Sequence, residues 1–413
     1  MIDFEQASNS SLGIASIKVI GIGGAGGNTV NSMIEANDRD IEFIVANTDS
    51  QALLNSKAPN KIQLGIKSTK GLGTGANPEI GRRAAEEDLD QILDAMAGAD
   101  IVFIAAGMGG GTGSGASPVI ARALREQGIL TIAVVTKPFL FEGKRRARIA
   151  EETIQQLRAE VDTMIILPNQ KLLEYVGDNV TMIDAFAMIN DVLNKSVRNI
   201  SDIIIKPGHI NVDFADLKTI MKDMGIAVMG TGVASGPDRA FVAAMNAISS
   251  PLLENVDIRG ARGVLLNITG GPDLTLHEIN AAASVIYEQA DEFANIIIGS
   301  AIDHNMHGEI SVAIVATGFD KRSHSSVTVA PAQLSLNYST FNQETITAAT
   351  TIMSDRLDSY SNNSNNSNSS SNSSSSSSTG DSNHAEQIDT NDLDVPAFLR
   401  RKAAASTEQV TPE

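Results

Sequence analysis

The 413-residue sequence contains no cysteine and no tryptophan, and aromatic residues make up only 4% of it. The absence of cysteine excludes disulfides, thiolate metal ligands and cysteine nucleophiles, and it is typical of a reducing compartment. No apolar run approaches the roughly 20 residues of a membrane-spanning helix, and the polar start MIDFEQASNS does not resemble a secretion signal. We therefore expect a cytoplasmic protein without direct membrane insertion.

Positive charge is also scarce, because 31 lysines and arginines face 49 acidic residues, for a net charge of -18. An acidic body without a basic stripe argues against nucleic-acid binding. The lysine-bearing phosphate loop G-x-x-x-x-G-K-[ST] is missing as well, which disfavours the common kinase and ATPase class. Phosphate held by backbone N–H groups stays possible.

The first half of the chain alternates short apolar runs with helical stretches, which is typical of a parallel sheet covered on both faces. The predicted strands are 17–22, 42–47, 100–107, 130–136 and 163–168. A helical stripe then predicts a connecting helix. Its apolar positions are Met182, Phe186, Ile189, Leu193, Val197 and Ile200.

The second half has a different pattern, with predicted strands at 261–270, 294–302 and 309–318 and a predicted helix at 273–290. Beyond it, a stretch of almost pure serine and asparagine has no apolar residues to bury and predicts a flexible tether. The sequence DLDVPAFLRRK after the tether regains apolar residues and is a candidate docking peptide.

The predicted fold is therefore an α/β protein with a Rossmann-like parallel-sheet domain, a central helix, a second α+β domain and a disordered tail. The predicted segments are a flexible arm (1–13), a nucleotide-binding domain (14–180), the central helix (181–203), the α+β domain (204–319), the linker (320–390) and the partner-binding peptide (391–413).

The stretch GMGGGTGSGASP (107–118) follows a predicted strand and precedes a predicted helix, and six of the nine residues from Gly107 to Gly115 are glycine. Unpaired N–H groups and the helix dipole attract phosphate at such a junction, and glycines let the backbone lie against the anion. Thr112 and Ser114 can add hydroxyl donors. The alternative is a tight strand–helix turn, which needs one or two glycines, so we favour a phosphate site.

A second glycine loop, VIGIGGAGGNTV (19–30), also lies between a predicted strand and helix. Gly21, Gly23 and Gly26 fit the dinucleotide pattern G-x-G-x-x-G, and Asp49 lies about where an NAD-binding acid is expected. An NAD-dependent oxidoreductase is thus one alternative. Two glycine loops at one sheet edge fit a nucleotide with several phosphates better.

Further polar residues follow at suitable places for a nucleotide. Glu142 and Arg146 come just after a strand, and Asn190 lies on the connecting helix; each is otherwise an ordinary surface residue. Asp213 and Asp216 lie at the start of a predicted helix, where acids cap the first turn. They can instead position a water for attack on a γ-phosphate.

Several motifs resemble the tubulin/FtsZ family, and FtsZ in particular, in matching order. They are GIGGAGGN (21–28), NTD (47–49), GGGTGSG (109–115), PFLFEGKRR (138–146), NVDFADLKTIM (211–221) and the tail DLDVPAFLRR. The resemblance covers 14–319 almost continuously. It implies a cell-division GTPase whose subunits stack head to tail into the filaments of a mid-cell ring. A non-hydrolysing relative is a second alternative, against which Asp213 and Asp216 argue.

The resemblance also implies roles for individual residues. Mg²⁺ accompanies GTP or GDP, no dedicated protein metal site is expected, and the tail Leu393–Lys402 binds membrane-tethering adaptors and division regulators. The implied nucleotide-binding residues are Gly24, Ala25, Gly26, Gly27, Asn28, Gly111, Thr112, Gly113, Glu142, Arg146 and Asn190, and the implied catalytic residues are Asn211, Asp213 and Asp216.

Overall fold

A computed structural model describes residues 15–36, 41–176, 180–205, 210, 212–250, 252–253 and 258–319. Of the predictions above, the arm, the linker, the tail peptide and Asn211 lie outside the described residues.

The described chain is organised around one ten-stranded sheet with the strand order β3-β2-β1-β4-β5-β6-β7-β10-β8-β9. Neighbouring strands from β3 to β7 are parallel, β10 is antiparallel to β7 and β8, and β9 is parallel to β8. The strands are β1 (Ile17–Ile22), β2 (Glu42–Asn47), β3 (Asn60–Gln63), β4 (Ile101–Gly107), β5 (Leu130–Lys137), β6 (Thr163–Pro168), β7 (Gly225–Ser235), β8 (Gly263–Gly270), β9 (Asn295–Ile302) and β10 (Glu309–Thr317).

Helices cover both faces of this sheet, and none in the described part is long and apolar enough to cross a membrane. They are α1 (Gly23–Glu35), α2 (Ser50–Asn55), α3 (Ile66–Thr69), α4 (Pro78–Glu87), α5 (Leu89–Met96), α6 (Thr112–Glu126), α7 (Lys144–Glu160), α8 (Asn169–Val176), α9 (Met182–Ile205), α10 (Phe214–Met221), α11 (Arg239–Ile248) and α12 (Leu276–Gln289), with 3₁₀ turns at Leu140–Glu142 and Ile258–Gly260.

Alternate side chains of the strands pack into different cores, as the two-residue period of a strand requires. Phe103 belongs to a core that also contains the buried side of α9. Its neighbour Ile104 belongs to a core on the opposite face of the first half of the sheet. A third core lies under α11 and α12 in the second half. The predicted α/β fold class with a Rossmann-like parallel sheet is confirmed.

The two predicted halves share this sheet, because β6 pairs with β7 through Thr163 and Gly225. No strand was predicted at β7, so the sequence did not indicate that one sheet continues from the first half of the chain into the second. The domain boundaries stay a prediction.

The connecting helix forms, but its apolar stripe is only partly buried. Four of the six stripe residues lie in the core, whereas Met182 and Phe186 are 69% and 42% exposed. The first turns of α9 therefore extend beyond the core.

Candidate functional site

A cleft of about 460 Å³ opens at the carboxyl ends of the parallel strands β1, β4 and β5. Ile22, Gly107 and Thr136, from the ends of these three strands, line it. The side of α9 bearing Asn190 forms another wall. Ligands of open parallel sheets bind outside the carboxyl ends of the strands, so this is where a nucleotide is expected.

Most of the predicted nucleotide-binding residues converge on this cleft. Two predicted nucleotide-binding residues, Gly26 and Gly27, do not line it, and neither do the predicted catalytic residues Asp213 and Asp216. The predicted residues that do are Gly24, Ala25, Asn28, Gly111, Thr112, Gly113, Glu142, Arg146 and Asn190.

Both glycine loops run directly from a strand into a helix whose amino terminus lies at the cleft. Gly23, with φ of +72°, starts α1 immediately after β1. Thr112 starts α6 five residues after β4 ends. The first N–H groups of a helix have no partner within the helix and carry the positive end of its dipole. Two such termini give the cleft a positive potential without lysine.

Some glycines of the two loops line the cleft, whereas others allow helices and strands to pack closely. The sequence did not predict this second role. Gly24 and Gly110 line the cleft, and a Cβ at either one would meet no atom within 4 Å. A Cβ on Gly115, by contrast, would lie 2.0 Å from the Pro78 carbonyl oxygen of α4. Gly81 of α4 is constrained in the same way, because a Cβ there would lie 2.3 Å from the Gly111 carbonyl oxygen. Part of the glycine richness therefore allows α4 and α6 to approach closely.

Gly26 has a packing role as well. A Cβ there would lie 2.3 Å from the Ala105 carbonyl oxygen of β4, so glycine is needed where α1 crosses the sheet. At Gly27 a Cβ would make only an ordinary contact with Val45, at 3.5 Å.

The hydroxyls of the second loop also differ in what they contact. The Thr112 hydroxyl lies at the cleft, 2.7 Å from the Thr48 hydroxyl. The Ser114 hydroxyl accepts the Gly109 N–H at 2.9 Å, and Ser114 does not line the cleft. This geometry gives no support to Ser114 as a phosphate donor, because its hydroxyl accepts a hydrogen bond within the loop.

Glu142 and Arg146 approach each other across the first turn of α7. The Glu142 carboxylate accepts the Phe139 N–H at 2.9 Å and lies 2.5 Å from the Arg146 guanidinium. The Glu142 side chain is 16% exposed and that of Arg146 is 50% exposed. The guanidinium is thus the more exposed of the two groups at the cleft, and the carboxylate is held by both the Phe139 N–H and Arg146.

The α9 side of the cleft presents amides and an aromatic ring. Asn190 Oδ1 lies 3.2 Å from the hydroxyl of buried Thr29, which orients the amide. Asn169, at the start of α8, is 5% exposed, and its Oδ1 has no hydrogen-bond partner among the described residues. Phe186 packs edge-on against Phe139 with 5.5 Å between ring centroids. Amides and an aromatic face suit a nucleobase.

The sequence reading missed three of these residues. It assigned Phe186 to the apolar stripe of the connecting helix, and it gave no role to Asn169 or Thr29. Asn169 and Thr29 carried a weak signal, since Asn169 directly follows a predicted strand and Thr29 lies near the end of the second glycine loop.

Asp213 caps α10, as the structural alternative predicted. Its carboxylate accepts the Asp216 N–H at 2.7 Å, and both acids are exposed. The far end of α10 lies at the amino end of β6, because the Thr163 hydroxyl donates to the Met221 carbonyl. The cleft lies at the other, carboxyl edge of the sheet.

Asp49, the acid that kept an NAD site open, caps α2 by accepting the Gln51 N–H at 2.9 Å. Its side chain does not line the cleft. The cleft therefore lacks the acidic residue that the NAD-binding hypothesis requires of Asp49.

Comparisons with known proteins agree with this geometry. Residues 16–177 match the sequence model of the Tubulin/FtsZ family, GTPase domain, and residues 225–320 match that of the FtsZ family, C-terminal domain. They give no support to the oxidoreductase alternative.

Two relatives and one solved structure carry the same name. Cell division protein FtsZ of Pseudomonas aeruginosa is 48% identical over 405 residues, which cover 94% of this chain and 97% of that protein. That of Caulobacter vibrioides is 50% identical over 329 residues, which cover 80% of this chain and 65% of that protein. An empty FtsZ dimer from M. jannaschii has a TM-score of 0.71 and 42% identity, covering 75% of this chain and 89% of that one. The chain belongs to the FtsZ family.

Proposed function

We propose that this protein binds GTP in the cleft, with the phosphates on the glycine loops and the base against α9. Membership of the FtsZ family makes it a GTP-binding and GTP-hydrolysing cell-division protein that assembles into filaments. One observation carries the assignment of the site: both glycine loops, the Glu142–Arg146 pair and Asn190 line a single cleft.

The phosphate end of the proposed site consists of backbone more than of side chains. The amino termini of α1 and α6 meet there, and the surfaces at Gly24 and Gly110 are open. Phosphate oxygens can accept N–H groups from both helices, and Arg146 can turn from Glu142 to a phosphate as a charge-assisted donor. Glu142 then faces the ribose hydroxyls as an acceptor.

The base end explains why guanine should be preferred. Asn190 and Asn169 offer amide donors and acceptors to the base edge, and the Phe186 ring offers a stacking face. A site that hydrogen-bonds one base rejects another because its buried amides would be left unpaired. Asn169 Oδ1, which has no partner among the described residues, is the atom that gains most from a guanine N–H donor.

Mg²⁺ fits this site as an ion held mainly by the nucleotide. Magnesium keeps several waters and binds one or two carboxylates together with substrate phosphates. The described residues contain no cluster of three or more acidic, histidine or cysteine side chains that would hold a metal alone. Glu142 offers a carboxylate within the cleft. When bound, the ion would neutralise charge on the phosphates during transfer.

We assign hydrolysis to Asp213 and Asp216 of a neighbouring subunit, together with Asn211. The 24 residues of α9 span about 36 Å at 1.5 Å per residue, so the helix leads from the cleft to a distant part of the molecule. Both acids are exposed and absent from the cleft lining. Head-to-tail stacking, a heterologous contact that builds open filaments, would bring them to the GTP of the next subunit.

We also propose that the tail Leu393–Lys402 binds membrane-tethering adaptors and other division regulators. This keeps the filaments in the cytoplasm at the mid-cell ring, on the inner face of the membrane. The support lies in the sequence, where four apolar residues return after the Ser/Asn linker. Pro396 suits an early helical position, and Arg400 and Arg401 suit a helix end.

Calorimetric titration with GTP, ATP and NAD tests the site assignment. GTP with Mg²⁺ should bind far more tightly than the other two. Thr112→Arg should weaken GTP binding strongly, because its long side chain fills the phosphate loop. Gln127→Arg, which adds the same side chain at the exposed end of α6, is the matched control and should bind normally. Equal binding of ATP and GTP would refute base reading by Asn190 and Asn169.

A further inference from the structure

A second pocket, of about 280 Å³, lies at the edge of the sheet opposite the nucleotide cleft. It is found where β5 begins, at Leu130, and beside Asp162, which directly precedes β6. Helix α6 and helix α10 supply its charged walls. The family roles discussed above do not involve this pocket. Its lining consists of Arg125, Gly128, Ile129, Leu130, Asp162, Lys218, Lys222 and Asp223.

The two carboxylates of this pocket are already engaged. Arg125 forms an ion pair with Asp223 and lies 3.9 Å from the Asp162 carboxylate. Asp162 is 3% exposed and also accepts the Thr131 N–H at 2.9 Å. Arg125 is further held by the Ala159 carbonyl, at 3.0 Å. Both acids are therefore fixed by groups of the protein itself, although the single guanidinium neutralises only one of the two charges.

The two lysines are not neutralised. Lys218 lies on α10, Lys222 directly follows its last residue, and both line the pocket. Neither has a carboxylate partner within the described part of the chain. The Lys218 ammonium lies 5.7 Å from the centroid of the Phe214 ring, a contact that leaves its charge in place. The three cations and two carboxylates of the lining thus give the pocket a net positive charge, in a chain whose net charge is -18.

We propose that this pocket binds a compact anion bearing phosphate or carboxylate groups, held between Lys218 and Lys222. Pockets for small molecules usually occupy about 300–1,000 Å³, so 280 Å³ suits a small ligand and is too little for a whole nucleotide. Ammonium groups are strong donors to anions. Within one subunit the pocket is separate from the GTP site, because the two pockets lie at opposite edges of the sheet.

Lysine labelling gives a residue-specific test. The full-length protein is saturated with GDP, so that the nucleotide cleft is blocked, and treated briefly with acetic anhydride. Modification is quantified by mass spectrometry with inorganic phosphate, with citrate, or with chloride at equal ionic strength. When the anion concentration is twice its dissociation constant, about two-thirds of the sites are occupied. Acetylation of Lys218 and Lys222 should then slow about threefold. Lys61, an exposed lysine of β3, should be labelled equally in all conditions.

A variant identifies the site independently of labelling. Lys218→Gln combined with Lys222→Gln should abolish the rise in Tm that phosphate or citrate gives above chloride, whereas Lys61→Gln should keep it. Protection by phosphate alone or by citrate alone would support the proposal and identify the class of anion. Equal labelling with both anions and with chloride would overturn it.

Discussion

Gly115→Ala should destabilise the protein even though alanine is normally about 1 kcal/mol better than glycine inside a helix. The added Cβ would lie 2.0 Å from the Pro78 oxygen and 2.6 Å from the Arg82 nitrogen, both of them backbone atoms of α4. Overpacking costs about 1–3 kcal/mol, and backbone atoms cannot rotate away, so the upper value applies. After the gain in helix propensity, the net loss is about 2 kcal/mol. The Tm should fall by about 4 °C, at about 2 °C per kcal/mol for a domain of this size.

Gly110→Ala is the matched control, because its Cβ would meet nothing within 4 Å. Its stability should stay within about 0.5 kcal/mol of the wild type. Gly110 lines the cleft, however, so crowding of the phosphate by about 1–3 kcal/mol should weaken GTP binding about 5- to 150-fold. Thermal unfolding followed by circular dichroism, without nucleotide, and calorimetry with GTP separate the two effects. An unchanged Tm for Gly115→Ala would refute the packing argument.

Other expectations follow from particular contacts. Arg239→Ala should cost about 3 kcal/mol by urea unfolding, since it leaves the carboxylates of Asp273 and Glu278 without their buried partner. The hydrogen bond from Arg239 lowers the pKa of Glu278 to about 2, so this stabilisation is complete above pH 4.5 and lost towards pH 2. Glu278→Gln should therefore flatten the acid side of the stability curve, and an unchanged curve would contradict this. Thr29→Val should reduce the preference for GTP over ATP, measured by calorimetry, while Thr29→Ser retains it; equal preferences would refute the orienting role. Deleting 392–402 should leave GTP-driven light scattering intact and abolish adaptor binding in pull-downs, and failed assembly would contradict a tether.

Much of the fold could be predicted because its strands are apolar on both faces. The boundaries of β1, β2 and β6 agree with the predicted strands, since their apolar runs end abruptly at polar or glycine residues. Strand β7 was missed because three glycines in its sequence GIAVMGTGVAS divide its apolar residues into the short runs IAVM and VA. Two of them, Gly230 and Gly232, are needed there because a Cβ would lie within 2.2 Å of the α11 backbone.

The site was predictable in its backbone loops and less so in its side chains. A glycine loop between a strand and a helix has a local signature, and both loops do reach the cleft. The sequence could not tell glycines at the cleft, such as Gly110, from those at a helix crossing, such as Gly115, because that depends on the position of α4. Phe186 was assigned to the core because a periodic pattern cannot reveal where a helix leaves the core. Its exposure of 42% follows from the tertiary structure alone.

The proposal that GTP is hydrolysed only where two subunits meet can be tested by measuring the specific GTPase activity as a function of protein concentration. The same samples are examined by sedimentation to establish when filaments form. Turnover should be negligible below the assembly threshold and should rise steeply above it. Mixing Asp213→Ala with Thr112→Arg should also restore part of the activity that each variant lacks, provided that both enter filaments. A specific activity that stays constant down to concentrations where only monomer is detected would contradict the proposal.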